Sequence, residues 1–206
     1  MTEGIAFLSV PLPSFSDREI MRYAGVGGPV CESGISELLI RAKDISCGAL
    51  DENIGIIYRE ADINISGNAC DFGFASVSSA SLSKALSGAH RVLFMCTTLG
   101  VKFDALIMKY MRISPSLAHM ISSVGSERVE AAADSFCRII GEKNISSGEI
   151  LTPRFSPGYG DLELEFQRDI FAYLQPQRYI GLTLNSSFIM SPSKSVSAII
   201  GIKKEQ

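Results

Sequence analysis

The ten residues Thr152–Asp161, with the sequence TPRFSPGYGD, constrain most strongly what this chain can fold into. They include two prolines and two glycines, the residue types that most often interrupt helices and strands. Pro157 fixes one φ angle, while Gly158 and Gly160 allow positive φ or the close approach of another group to the backbone. The stretch is therefore predicted to be a loop with a defined path, which neither a helix nor a strand can cross.

The same loop carries two side chains suited to ligand recognition. Arg154 brings a planar fork of donors that fits a carboxylate or a phosphate, and Tyr159 brings a flat ring and a hydroxyl. Such a loop could recognise a small molecule with an anionic group at one end and an aromatic ring at the other. In the alternative interpretation, the loop is a structural turn, and Arg154 is solvated or paired with Asp161 or Glu163.

Two segments resemble one protein family. Residues 154–159, RFSPGY, are similar to the Arg-x-x-x-Gly-Tyr motif of the activation domain of cobalamin-dependent methionine synthase, which binds S-adenosylmethionine. Residues 181–198, GLTLNSSFIMSPSKSVSA, are similar to the family's Leu-Thr-x-Ser-x-x-Met-x-Pro-x-x-Ser-Val-Ser segment. The two segments occur in the family's order and at about its spacing. The resemblance is clearest over residues 150–202, within one domain predicted to span residues 1–206.

The resemblance implies a site for S-adenosylmethionine. Arg154 would bind the carboxylate, the backbone after it would contact the adenine edge, and an acidic side chain on a preceding helix would face the positive centres. The family has such an acidic residue, and Glu130 is the matching candidate here. The expected cofactor-binding residues are Arg154, Phe155, Pro157, Gly158, Tyr159 and Glu130.

The resemblance also implies a role in the reductive remethylation of an inactive cobalamin. Methyl transfer from a sulfonium to reduced cobalt mostly needs positioning, so no catalytic side chain is expected in this chain. Neither His90 nor His119 lies in the Asp-x-His-x-x-Gly loop with which the family's cobalamin module binds cobalt. We therefore expect a free-standing accessory protein that acts on a cobalamin held in trans, by a methionine synthase or another corrinoid protein. A flavodoxin or ferredoxin is the expected electron donor.

Two other functions are weighed against this one. The chain ends at Gln206, before an aromatic pair that the family uses at the cofactor, so a docking module that caps a corrinoid protein without binding S-adenosylmethionine remains an alternative. An independent methyltransferase is less favoured. Such enzymes usually have a Gly-rich turn after the first strand of a parallel sheet, and this sequence has none.

Composition excludes several function classes. The chain has 206 residues and a formal net charge of −3, and it has no Lys/Arg cluster of the kind that binds nucleic acid. No stretch reaches the roughly 18 apolar residues of a membrane span. The apolar run Ile5–Val10 lacks a basic flank and is followed by prolines, which is a poor signal peptide, so a cytoplasmic protein is expected. The five cysteines are widely spaced, which favours reduced, mostly buried thiols over a zinc or iron–sulfur site.

Hydrophobic periodicity predicts an α+β fold, a mainly antiparallel twisted sheet that helices cover on one face. A Ser16 cap begins a short helix through Tyr23, and the Gly25–Gly28 run stops it. Further helices are predicted over 34–46, 78–86, after Gly100, over 114–140 and over 162–174, and strands within 53–77, at 92–96, 180–184 and 196–202.

Three side-chain expectations accompany these elements. The methionines Met108, Met111 and Met120 are expected to fill the core. The turn Thr97–Gly100 is either plain scaffold or an anion site at a helix N-terminus. The acids Glu127, Glu130 and Asp134 share one side of the long helix and form either a solvated face or, through Glu130, part of a ligand site.

Overall fold

The computed structural model describes residues 4–26, 33–145 and 147–205. Within them the strands are β1 (Ala6–Pro11), β2 (Asn53–Asp62), β3 (Asn64–Ser66), β4 (Ala69–Asp71), β5 (Ser76–Ser78), β6 (Ala89–Thr98), β7 (Glu149–Leu151), β8 (Thr183–Leu184), β9 (Met190–Ser191) and β10 (Ser195–Lys204). The helices are α1 (Asp17–Tyr23), α2 (Ser33–Cys47), α3 (Ala80–Ala85), α4 (Val101–Met111), α5 (Pro115–Ile145), α6 (Gln167–Leu174) and α7 (Pro176–Ile180), with a 3₁₀ turn at Leu164–Phe166.

A curled five-stranded antiparallel sheet with the order β1-β2-β6-β10-β7 forms the centre of the molecule. The long strands β6 and β10 lie side by side, with Met95 opposite Ala198 and Phe94 opposite Ile199. The predicted α+β class and the mainly antiparallel sheet are confirmed.

Apolar cores lie on both faces of this sheet, so the prediction of a sheet covered on one face is wrong. Successive side chains of a strand point to opposite faces. In β6, Leu93 and Met95 join one core, whereas Phe94 and Cys96 join the other. A continuous apolar strand of this kind is buried on both sides, and each side needs its own cover.

Helices α1, α2, α4 and α5 cover the first face, and α5 is the long helix against which the other three pack. The sequence predicted that α5 stops at Gly141, but the helix continues to Ile145. Gly125 does not split it either. A Cβ atom at Gly125 would lie 2.4 Å from the ring of Phe103, so this glycine lets α4 pack closely on α5.

The second face is covered by α3, α6, α7 and the small sheet β3-β4-β5. Its core is rich in aromatic rings. Phe94 is fully buried and contacts Phe72, Phe74 and Tyr173 edge-on, and Phe74 stacks on Tyr173 with ring centroids 3.8 Å apart. Phe72 and Phe74, which the sequence placed in a strand, lie in the turn between β4 and β5.

Other element boundaries follow the predictions with some exceptions. The Ser16 hydroxyl caps α1 by accepting the Glu19 amide, and Gly25 has a φ of 71°, but Gly27 and Gly28 of the predicted stop lie outside the described residues.

Met120 is in the core, whereas Met108 and Met111 are exposed, which corrects their prediction as core residues. Strands β1 and β7 were not predicted.

The segment around Ile180 also differs from its prediction as a strand. Pro176 begins the short helix α7, which runs to Ile180 and leaves β8 with two residues. Proline fits the first helical position because its missing N–H has no partner there in any helix. None of the helices in the described ranges is long and apolar enough to cross a membrane.

Candidate functional site

A cleft of about 590 Å³ lies on the first face of the molecule, beside the middle of α5. One side is the segment that connects β1 to α1, residues 11–16, together with the end of α1 at Arg22 and Tyr23. The other side consists of polar residues of α5, including Glu130 and Asp134, and of Arg154. The cleft is therefore lined by both acidic and basic side chains.

Arg154 reaches this cleft because the chain after β7 continues beside β10. The Thr152 amide donates to Gly201 O at 2.9 Å, and the Phe155 amide donates to Ile199 O at 2.9 Å. Neighbouring side chains in such an extended segment point to opposite faces. Arg154 accordingly lies on the α5 face, while the ring of Phe155 packs into the second core.

The Arg154 guanidinium is paired with two carboxylates of α5. Its Nη2 atom lies 2.8 Å from Glu130 Oε2 and 2.9 Å from Asp134 Oδ1. The arginine side chain is 20% exposed, whereas the Glu130 and Asp134 side chains are 39% and 75% exposed. Its pairing with Asp161 or Glu163, the structural alternative from the sequence, is therefore wrong.

The second terminal nitrogen of the guanidinium, Arg154 Nη1, is buried and has no hydrogen-bond partner in the described part of the chain. Buried donors are nearly always satisfied, so an unpartnered one calls for an explanation. Arg154 lines the cleft, and Nη1 is a terminal nitrogen to which neither carboxylate of α5 is bonded.

Glu130 lies in the cleft beside Arg154, while its role in cofactor binding stays a prediction. Its carboxylate also acts on a residue that the sequence did not indicate. Burial and the Glu130 charge raise the pKa of the Tyr23 phenol, which lines the same cleft. No pattern marked Tyr23, because the approach of α1 to α5 is a tertiary contact. Glu127 is buried against Arg128, so the acidic side of α5 is not uniformly solvated.

The remaining predicted residues lie outside the lining of this cleft. The Gly158 amide donates to Leu162 O at 2.8 Å, and the Tyr159 amide donates to Ser156 O at 3.2 Å, so both amides serve the loop itself. Pro157 is buried, and the Tyr159 side chain is 68% exposed. The structure thus brings Arg154 and Glu130 together. Cofactor binding by Phe155, and contact of the Pro157–Tyr159 backbone with an adenine, stay predictions.

Asp161 anchors the end of the loop to the second face. Its carboxylate accepts hydrogen bonds from the Ser79 hydroxyl at 2.6 Å and from the amides of Ala80 and Ser81 at 2.7 and 3.0 Å. These bonds, that from Ser79 foremost, hold the pKa of the Asp161 carboxyl well below its usual range. This acidic residue therefore has a structural role at the start of α3.

The second resembling segment, residues 181–198, is tied to the helices of the first face. The Ser193 amide and hydroxyl donate to Asp104 of α4 at 2.7 and 2.8 Å. Lys194 Nζ donates to Ser126 Oγ of α5 at 3.0 Å, and burial lowers the pKa of this lysine. The Thr97–Gly100 turn belongs to the same contact, since the Leu99 amide donates to Lys194 O at 2.9 Å.

The described lining of the cleft consists of carboxylate, guanidinium, phenol, hydroxyl and apolar side chains. Neither histidine lines it, and the described residues contain no group of three His, Cys, Asp or Glu side chains that could hold a metal. Burial raises the pKa of the Cys137 thiol to about 11, although the nearby Arg154 charge acts to lower it. The thiol therefore stays protonated. Cys70 and Cys96 are buried, Cys47 is exposed, and Cys31 lies outside the described residues.

Comparisons with known proteins establish the fold. No protein-family model and no curated protein matches the sequence. A solved structure, the MetH reactivation domain bound to AdoHcy, is similar to this chain with a TM-score of 0.69 at 15% sequence identity. The match covers 98% of this chain and 79% of that one. The shared fold confirms what the resemblance to the activation domain predicted for the architecture.

Proposed function

We propose that this chain is a cytoplasmic protein that binds S-adenosylmethionine in the cleft beside α5. It would support the reductive remethylation of an inactive cobalamin carried by a separate methionine synthase or another corrinoid protein. The observation that carries the proposal is Arg154, which lines a mixed-charge cleft in a fold shared with a domain whose structure holds AdoHcy.

The charges of the cleft fit an amino-acid group joined to a sulfonium. Arg154 supplies a donor fork for the carboxylate, and its Nη1 atom has no acceptor among the described residues. Glu130 and Asp134 supply negative charge for the ammonium and the sulfonium. The volume of about 590 Å³ is in the usual range for small-molecule sites.

The protein residues would contribute binding and orientation. A sulfonium methyl group and a strong nucleophile react when they are held in line, so positioning alone can supply a large part of the rate. The nucleophile in this proposal is the reduced cobalt of a cobalamin on the partner protein. A flavodoxin or ferredoxin would supply the electron.

A second function is favoured by the ion pairs of Arg154. Glu130 and Asp134 already compensate the guanidinium, and the Pro157–Tyr159 backbone lies outside the cleft. A module of this fold could therefore cap a corrinoid protein without binding S-adenosylmethionine. The two functions differ in one measurable property, the affinity for the free nucleotide.

Titration calorimetry with S-adenosylmethionine and with AdoHcy separates the two functions. We expect the wild-type protein to bind and Arg154→Gln to lose about tenfold to a hundredfold in affinity, since a hydrogen bond to a charged group contributes roughly 1.5–3 kcal/mol. Glu130→Gln should weaken S-adenosylmethionine more than AdoHcy, because only the former carries the sulfonium charge.

The controls for this titration are a matched arginine and a matched glutamate. Arg168→Gln removes an arginine of α6 that is 63% exposed, and Glu165→Gln removes its ion-pair partner, a glutamate that is 50% exposed; neither residue lines the cleft. Both should bind like wild type. Absence of heat at millimolar nucleotide would reject the proposed site and leave the docking module.

The proposed role in cobalamin remethylation is tested with a cobalamin that is bound to a separate protein. A methionine synthase without its own activation domain is loaded with cob(II)alamin and mixed with this protein, S-adenosylmethionine and a reduced flavodoxin. We expect the methylcobalamin absorbance to appear faster with the wild-type protein than with Arg154→Gln. Equal rates with and without the protein would contradict this role.

A further inference from the structure

The segment between β1 and α1, residues 12–16, forms most of one side of the cleft although it belongs to neither element. Leu12, Pro13, Ser14 and Ser16 line the cleft together with Pro11, the last residue of β1. Irregular segments are usually more mobile than the elements that they connect. If this segment is the wall of a binding site, contacts from other elements must hold it in a fixed position.

Arg128 of α5 holds the middle of this segment. The side chain is 2% exposed, and it donates from Nη1 to Pro13 O at 2.6 Å and from Nη2 to Ser14 O at 3.1 Å. Its guanidinium carbon also lies 4.2 Å from the centroid of the Phe15 ring. One buried arginine thus contacts three consecutive residues of the wall.

Glu127, the residue before Arg128, holds the end of the segment. Its carboxylate accepts the Ser16 amide at 3.1 Å and forms an ion pair with Arg128. In a capping box that amide would be bonded by Glu19, but Glu19 pairs with Arg22 instead. The amide at the start of α1 is therefore satisfied from α5.

A buried ion pair is weak support for overall stability, because desolvation of the two charges offsets much of their attraction. The contribution of this pair is to fix the position of the segment between β1 and α1. Each polar contact fixes a particular backbone group of residues 13–16 relative to α5. Glu130 and Asp134 lie on the next turns of the same helix. Helix α5 therefore positions both sides of the cleft, residues 13–16 on one side and the two carboxylates on the other.

We infer that Arg128 and Glu127 are positioning residues for the ligand of this cleft. They hold residues 13–16 at a set distance from Arg154 and Glu130 and thereby set the affinity. This inference rests on the proposed function, because the ligand is the one proposed above. The affinity would then depend in part on Arg128 and Glu127, whose side chains contact residues 13–16.

The test compares Arg128→Lys with Arg91→Lys by calorimetry with S-adenosylmethionine. Lysine keeps the charge but cannot bridge two carbonyls and a carboxylate with a planar fork. We expect Arg128→Lys to bind about tenfold more weakly than wild type. Arg91 forms ion pairs with Glu60 and Glu149 on the sheet and lies outside the cleft lining, so Arg91→Lys should bind like wild type.

Two further readouts separate positioning from a general loss of stability. Arg128→Ala is titrated with and without millimolar guanidinium, and the ion should restore affinity to this variant but not to Arg154→Gln. Amide hydrogen exchange of residues 13–19 should be faster in Arg128→Lys than in wild type, while exchange in β6 stays unchanged.

The outcomes distinguish this inference from the proposed function. If the wild-type protein binds and Arg128→Lys binds equally well, the positioning role is wrong while the proposed function stands. If the wild-type protein does not bind, the proposed function fails. In that case unchanged exchange of residues 13–19 in Arg128→Lys would also show that Arg128 does not hold the wall.

Discussion

The two faces of the central sheet use neighbouring residues of one loop for different purposes. On the α5 face, Arg154 joins Glu130 and Asp134 in a charged and partly exposed cleft. On the opposite face, Phe155 packs into an aromatic core, and Asp161 binds the start of α3. A sequence motif that resembles a single binding site is thus divided between a cleft and a structural anchor.

This division implies that affinity and stability can be changed separately. The Glu130 and Asp134 carboxylates are partly exposed, and ion pairs at such sites contribute little to folding, typically about 0–1 kcal/mol, so these charges can bind a ligand at a small cost in stability. Buried aromatic groups contribute several kilocalories per mole and contact no solvent. Substitutions on the second face should therefore change the free energy of unfolding without changing the affinity.

The largest effect is expected from Phe94→Ala. This ring is fully buried among Phe72, Phe74 and Tyr173, and its removal should lower the free energy of unfolding by about 3–5 kcal/mol. Urea unfolding measures the loss. Phe7→Ala, at a ring that is 59% exposed, should cost less than about 1 kcal/mol. Equal losses in the two variants would contradict this description of the second face.

A smaller loss is expected from Gly160→Ala. The residue has a φ of 58°, and an added Cβ atom would lie 2.6 Å from Ser81 Oγ. The left-handed backbone alone costs about 1–2 kcal/mol for alanine. Gly67→Ala is the matched control, since Gly67 has a φ of 61° and no atom within 4 Å of the added Cβ. Thermal unfolding should show Gly160→Ala below Gly67→Ala, and the reverse order would exclude the close contact with α3.

A loss of about 1–2 kcal/mol is expected from Ser79→Ala, because the Ser79 hydroxyl caps α3 by accepting the Leu82 amide at 3.0 Å and also donates to Asp161 at 2.6 Å. The corresponding cap on the cleft face is Ser16, which accepts the Glu19 amide at 3.4 Å. Both alanine variants should unfold at lower urea concentration than wild type. Only Ser16→Ala should also weaken S-adenosylmethionine in calorimetry, and weaker binding by Ser79→Ala would break the separation of the faces.

The smallest effect concerns pH. The folded pKa of Asp161 is depressed, so its bonds stabilise the protein fully above the unfolded pKa of about 4 and are lost as the pH falls toward the folded pKa. Asp161→Asn should therefore be less stable than wild type at pH 7, and the difference should shrink in more acidic buffer. Urea midpoints at several pH values measure it. A difference that grows with acidity would have the wrong sign for this carboxylate.

Local patterns predicted those parts of the fold that depend on neighbouring residues. The Ser16 cap, the end of α1 at Tyr23 and the alternation of β10 follow from short windows of sequence. Strand β7 has three residues, and its partner strand lies about fifty residues further along the chain, so its own sequence carries little signal. Gly141 remains inside α5 because packing against the sheet outweighs the low helix propensity of glycine.

The residues of the candidate site also include some that local sequence indicated and some that it did not. Arg154 and Glu130 were predicted from the resemblance to the activation domain, and both lie in one cleft, although their role in cofactor binding stays a prediction. Arg128 and Glu127 were not recognised as a buried pair, because their contacts come from residues 13–16, more than one hundred positions earlier. A charged pair on a helix carries no local sign that a distant segment will cover it.

The opposite orientations of Arg154 and Phe155 limit how the loop can evolve. An insertion or deletion of one residue between Thr152 and this pair would rotate the guanidinium toward the aromatic rings and the benzyl group toward water. Homologous chains should therefore tolerate exchanges of residue type here far better than changes of length, whatever nucleotide or protein they have come to recognise.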